Sequence, residues 1–275
     1  MQYEDRTNLT LSQRSYLGNL LTFAESFIPR RMSLNSASDD SLLDIVSTLF
    51  LAKFIRTSRA ILLLLDQRFG EDAAMLSRSL FEVWYKIGLA DEDPKKLVML
   101  FRIQFGRSMI NDITRYRVVH GAPLPDDFGY LDLQIQTEQD TMHLIENLAE
   151  IDSDLAGKVR NNKRELWPDR SMRKTVKRWF PEDSDWFYKV SYSIPSDHLH
   201  ADIGVLTSYM EINENQVEPY TASRGGNGQG VATSLVGMLF GMLKFYNNRF
   251  SLRREEEIMK IEGEANVLFK QHWKR

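Results

Sequence analysis

SLLDIVSTLFLAKFIRTSRAILLLLDQRF, residues 41–69, decides the fold class. Leu42, Ile45, Val46, Leu49, Phe50 and Phe54 recur at three- and four-residue steps, the stripe of an amphipathic helix. Residues 61–65, ILLLL, are apolar on every side, and a helix apolar all round is ordinarily central to its fold. Asp44, Lys53, Arg56 and Arg59 interrupt the stretch, so it lacks the roughly 20 apolar residues of a membrane span. Residues 231–243 carry no charge but are too short to span. Both read as buried helices, and Gly70 reads as the stop of the first.

Working outward, residues 8–28 repeat the helical pattern through Leu17, Leu20, Leu21, Ala24 and Phe27, and Pro29 ends it. A Ser/Asp-rich loop follows at 32–40. Helices are expected at 71–90 and 95–120, the latter with Pro94 at its first position, then a loop, GAPLPDD, at 121–127. Residues 128–164 read as helix with a break near 152–157, residues 170–180 as a short basic helix, and 186–193 as another helical piece. Ser196 suits the N-cap of a helix over 196–210. Residues 211–230 are irregular or form a small hairpin, and 231–273 are helical with a bend near 250–252. No run alternates as a strand would. The fold class is therefore all-α, a multi-helix bundle with one small hairpin or irregular loop near 211–230. One helical domain is expected over 1–275, with a core at about 42–209 and a C-terminal helical extension at 231–275.

Composition narrows the function classes. The 275 residues are 43% hydrophobic and 27% charged, as in ordinary globular proteins. With 35 basic against 38 acidic residues, the formal charge of −3 excludes a chain that is basic overall and coats nucleic acid. No cysteine is present, so disulfides, thiolate metal sites and cysteine nucleophiles are excluded. Residues 1–9, MQYEDRTNL, lack the pattern of a signal peptide, and a cytoplasmic protein without membrane association is expected.

Four clusters carry possible chemistry. Arg78 and Glu82 are four apart and share a helix face with Met75, Tyr85 and Leu89, which predicts a partly buried ion pair: either a packing bridge or a site. Asp197, His198, His200 and Asp202 put four ligand-type groups in six residues. On a helix the two histidines point apart, so no metal site is expected, and His200 is the candidate general base. Residues 158–178 hold nine bases against Glu165 and Asp169, with Trp167 inside the run. Bases interleaved with aromatics suit phosphate contact and stacking; the plain alternative is a solvated face. Finally, GGNGQG at 225–230 precedes a helix, but Val231 and Ala232 stand where a phosphate loop needs Lys and Ser or Thr, so a surface loop is expected. Nothing points to a cofactor.

Arg-Ser-Leu-Phe-Glu (78–82), Trp-Pro-Asp-Arg-Ser (167–171), then Tyr188 and Tyr192 leading into Ser196 and His200, fall in a familiar order. The chain resembles the bacterial family of unknown function 5677 over about residues 42–209. The resemblance implies an all-helical fold. Its layout is similar to that of HEPN proteins, which are helical, often dimeric and RNA-targeting. Active HEPN ribonucleases carry an arginine four to six residues before the catalytic histidine; this chain has Ile194, Pro195 and Ser196 there, and Arg78 is the substitute cation. The expected site comprises His200, Arg78 and Glu82 as catalytic groups, with Trp167, Arg170, Ser171, Tyr192, Ser196, Arg173 and Lys177 binding substrate. The expected function is RNA or nucleotide binding by a homodimer, extending to metal-independent ribonuclease action in phage defence or a toxin-type stress response. The alternative is a non-catalytic helical interaction or scaffold protein.

Overall fold

Thr10 opens the first helix, α1 (Leu11–Glu25): its hydroxyl accepts from the Gln13 amide at 3.2 Å, and the Gln13 carboxamide accepts from the Thr10 amide at 3.0 Å. This reciprocal capping box satisfies two amides that a helix start otherwise leaves bare. A computed structural model of the chain describes residues 9–29, 38–120, 130–161, 169–193, 195–196, 210–213, 216–219 and 228–269.

Helix α2 (Asp39–Asp66) starts on Asp39 and Asp40, whose charges complement the helix dipole. Its end corrects the sequence reading. Gly70 is not the stop but the first residue of α3 (Gly70–Glu92). The chain turns at Arg68, at φ 65°, with the Phe69 amide donating to the Leu64 carbonyl at 2.8 Å and the Arg68 amide to Leu65 at 3.2 Å. That is a Schellman turn with an arginine where glycine is usual. The all-round burial expected of residues 61–65 also fails. Ile61 and Leu65 are buried, but Leu63 is 67% exposed. The run is one apolar face plus leucines turned outward, which a protein surface tolerates singly.

The chain divides into two compact units. The first comprises Met1–Leu34, Asp44–Gly88 and Arg170–Arg275. It includes α7 (Asp169–Trp179) from its second residue, α8 (Ser184–Tyr188), and a π-helical turn at Lys189–Ser193. Two strands follow, β1 (Met210–Asn213) and β2 (Gln216–Pro219), then α9 (Gly228–Arg249) and α10 (Glu255–Phe269). The strands pair antiparallel from Met210 opposite Pro219 to Asn213 opposite Gln216, one of the two forms expected near 211–230; Met210, expected as the end of a helix, begins β1 instead. The all-helical fold class holds. Residues 197–209, expected as helix, lie outside the described residues.

The first unit's core is built on α9, whose residues 231–240 are buried on every side. Trp84 meets Trp179 edge-on at 5.3 Å, and Phe180 stacks on Phe187 at 4.0 Å. Helix α1 is tied to α10 by the Tyr16 hydroxyl, which donates to the Ile261 carbonyl at 2.7 Å, and by the Gln13 side-chain carboxamide, whose Nε2 donates to the Leu268 carbonyl at 3.0 Å. Buried Asn247 organises the bend between α9 and α10. It accepts from the Arg254 amide at 2.8 Å and donates to Glu255 at 2.7 Å, while Ser251 and Arg253 adopt positive φ. The segment read from sequence as an extension thus supplies the most completely buried helix of this unit.

The second unit comprises Asn35–Leu43 and Leu89–Asp169. It holds α4 (Pro94–His120), α5 (Tyr130–Ile151) and α6 (Ser153–Arg160). Their shared core is Leu100, Ile103, Ile145, Leu148, Leu155, Ala156 and Val159. The expected break near 152 is the start of α6. Asp152 accepts from the Leu155 amide at 2.9 Å and pairs with Lys96 of α4. Burial alone would raise the Asp152 pKa; the Lys96 hydrogen bond, the Leu155 amide and the charges of Lys96 and Lys158 outweigh it and hold the carboxyl below its usual range.

Candidate functional site

Helix α3 presents Arg78, Glu82 and Lys86 at successive four-residue steps, so one face carries a cation, an anion and a cation. The π-turn after α8 brings Tyr192 to this face, and the Arg78 guanidinium carbon lies 5.2 Å from its ring centroid. The Tyr192 ring lies 5.3 Å from both Phe81 and Tyr188. Tyr188 in turn receives Arg173 of α7, whose guanidinium carbon is 4.4 Å from the ring centroid. Two guanidinium groups therefore rest on two neighbouring tyrosines. Such a contact is worth about 0.5–1 kcal/mol when exposed and about 2 kcal/mol when desolvated.

Helix α7 can reach this position because of what α3 lacks. A Cβ at Gly88 would stand 2.7 Å from the Thr175 methyl, so the two helices pack closely only over a glycine. With Met172, Thr175 and Val176 buried, the helix turns Arg173, Lys174, Lys177 and Arg178 outward. Lys177 follows Arg173 by one helical turn.

The Arg78–Glu82 pair is partly buried, as expected, but its contact is long. The Arg78 side chain is 17% exposed, but that of Glu82 is 46% exposed, and Nε to Oε1 is 3.7 Å. The apolar stripe of α3 runs through Phe81, Trp84 and Tyr85 and leaves Glu82 on its flank. A long, half-exposed pair of this kind contributes about 0–1 kcal/mol, so the coupling of a buried bridge is not expected. Half-buried Lys86 was not foreseen, although its spacing from Glu82 was readable. Its Nζ lies 5.7 Å from the Phe50 ring centroid. Burial pushes its pKa down, Glu82 pulls it up, and Lys53 pushes it down further, with a net lowering.

A family described as "Family of unknown function (DUF5677)" matches residues 44–217. The chain belongs to this family. Comparison with curated proteins and with solved structures returned no match. Within the DUF5677 segment lie Arg78, Glu82, Lys86, Arg173, Lys177, Tyr188 and Tyr192. Helices α1, α9 and α10 fall outside it. The DUF5677 segment is nonetheless packed on α9. The buried Ser191 and Ser234 hydroxyls hydrogen-bond, and a Cβ at Gly237 would stand 3.2 Å from the Phe187 ring. The turn that carries Tyr192 is thus braced from outside the matched residues.

Of the sequence-predicted residues, Arg78, Glu82, Tyr192 and Arg173 converge, with Lys177 adjoining on α7. Ser196 is half-buried, one residue beyond buried Pro195. The backbones of Arg170 and Ser171 lie in the first turn of α7, while Trp167 and His200 lie outside the described residues. The basic run of residues 158–178 is divided: Lys158 and Arg160 belong to the second unit, Arg173 to Arg178 to the first. Among the described residues no group of three His, Asp or Glu side chains could hold a metal, and no helix is long and apolar enough to cross a membrane.

Proposed function

We propose that the chain binds RNA through the face formed by Arg78, Tyr192, Tyr188 and Arg173, with Lys177 extending it. The observation that supports this reading is the double cation–aromatic contact, in which Arg78 and Arg173 are both held against the adjacent Tyr192 and Tyr188 rings. Guanidinium groups pre-ordered on rings lose little freedom on meeting phosphate and offer planar, paired donors to its oxygens. The outward bases of α7 add the sequence-independent attraction that a single strand requires.

In the same reading His200 is a general base. It takes the 2′-hydroxyl proton, the 2′ oxygen attacks the adjacent phosphorus, and the 5′ oxygen leaves and is reprotonated. The products are a 2′,3′-cyclic phosphate and a 5′-hydroxyl, without a metal, and Arg78 steadies the charge on the phosphoryl oxygens. The reading carries with it a cytoplasmic homodimer acting in phage defence or a toxin-type stress response.

The test is titration of a labelled single-stranded oligoribonucleotide with the full chain at low salt. Tyr192→Ala and Arg78→Gln should each weaken binding at least about fivefold while the far-UV spectrum is kept, since each removes about 1 kcal/mol or more of contact. His200→Ala should bind normally and fail to cleave. If the unmodified protein binds no RNA, the non-catalytic scaffold reading replaces this one.

A further inference from the structure

The second unit contains a groove that the RNA reading does not use. Helices α4 and α5 meet at Gly106, where a Cβ would collide with the Thr141 hydroxyl and stand 3.5 Å from the Thr137 methyl. Beside this contact the helices leave a cavity of about 520 Å³, whose lining includes Arg107, Ile110, Glu138, Thr141, Met142 and Ile145. That volume lies within the range of roughly 300–1,000 Å³ typical of small-molecule sites.

The lining sets one cation, Arg107, and one acid, Glu138, among neutral polar and apolar side chains. Arg107 is half-buried, and its Nη2 donates to the Val159 carbonyl of α6 at 2.5 Å, which fixes the guanidinium against the groove wall. Among the described residues Arg107 forms no ion pair. Burial lowers its pKa, the sign of a charge withdrawn from water. Glu138 is within the same groove but accepts from Gln134 at 2.8 Å and makes no ion pair with Arg107. The apolar lining comprises buried Ile145, half-buried Ile110 and Met142, which is 49% exposed. A withdrawn cation answered only by a neutral carbonyl gains from an incoming anion, and the aliphatic side chains gain from an apolar one.

We propose that this groove binds a small amphiphilic anion, a carboxylate or phosphate bearing an aliphatic chain. The head group pairs with the Arg107 guanidinium, and the chain lies along Ile110, Met142 and Ile145. The proposal is independent of the RNA reading: either can fail alone.

The experiment is calorimetric titration of the full chain with octanoate, octyl phosphate, 1-octanol and inorganic phosphate. Saturable binding of octanoate or octyl phosphate is expected, and the tighter of the two identifies the head group. Octanol and inorganic phosphate should each bind about tenfold or more weakly, because each keeps only half of the interaction. Arg107→Gln should cost about tenfold in affinity for the preferred anion. Met142→Glu, at an exposed position where folding is undisturbed, should weaken it comparably by repulsion. Equal binding of octanol, no saturable binding of either anion, or unchanged affinity in Met142→Glu overturns the proposal.

Discussion

Neutralising Arg173 and Lys177 together should flatten the salt dependence of RNA binding. Both side chains project from the exposed face of α7, and Arg173 shares the tyrosine pair with Arg78. Suppose Arg78, Arg173 and Lys177 each neutralise one phosphate. Single-strand binding then varies with salt with a log–log slope of about −0.7 per phosphate, or about −2.1 in all. A fourfold rise in salt, from about 50 to about 200 mM, should therefore cost the unmodified protein about twentyfold in affinity. In the Arg173→Gln, Lys177→Gln variant only Arg78 remains, the slope falls to about −0.7, and the same rise should cost about threefold. Fluorescence anisotropy with a labelled oligoribonucleotide reads both slopes. A charge-matched control, Lys244→Gln with Lys260→Gln on α9 and α10, should leave the slope near −2. Equal slopes for the α7 variant and the unmodified protein would refute the reasoning, since α7 would then release no counterions.

Three further outcomes follow from packing and titration. Asp152→Asn keeps an N-cap acceptor but removes the charge facing Lys96, and should cost about 0.5–1.5 kcal/mol at neutral pH by chemical denaturation. Because the folded carboxyl titrates below its unfolded value of about 3.9, that cost should be present above pH 4 and vanish as pH falls through the folded pKa. Lys86→Met should stabilise the protein near neutrality, because burial disfavours the charged lysine in the folded state. The lowered pKa means that the unfolded chain holds this proton to higher pH. The unmodified protein therefore gains stability as pH rises toward the usual lysine range, and the advantage of Lys86→Met narrows there. Gly241→Ala would gain about 1 kcal/mol in an open helix, yet its Cβ would collide with the Trp179 ring and stand 3.0 Å from Trp84 Nε1. Overpacking of this kind costs about 1–3 kcal/mol, so a net loss is expected in urea unfolding.

The helices were legible because each is written locally. The periodic stripe of residues 42–54, the break near 152 and the Pro94 start all act within one or two turns, and α2, α6 and α4 follow them closely. Misreadings arose where two local solutions compete. Glycine is the usual residue for a left-handed helix stop, so Gly70 drew the boundary; the chain instead accepted that conformation at Arg68 and used Gly70 to begin α3. Residues 61–65 and 231–240 are both free of charge, but only the second stretch is buried all round. What distinguishes them is tertiary: α9 is enclosed by aromatic side chains such as Phe180, Phe187, Trp84 and Trp179, which approach it over Gly237 and Gly241.

The candidate site was legible only in part, as residues and not as a geometry, since Trp167 and His200 lie outside the described residues. Arg78 and Glu82 invited attention as a pair because they are four apart, yet their mutual contact is long and half-exposed. The partner that orders Arg78 is Tyr192, more than a hundred positions away, and no local spacing announces it. Lys86 continues the same face, but a lone lysine in an apolar stretch reads as a surface residue until burial is known. Arg107 reads the same way in sequence. These two cations share a physical feature that sequence cannot display: each is partly withdrawn from water, and burial moves its pKa in the direction that disfavours the charge. Lys86 is compensated within the chain, by the Phe50 ring and by Glu82. Arg107 has a backbone carbonyl and no acid among the described residues. The difference in compensation, more than the presence of charge, is what separates a cation serving the fold from one available to a ligand.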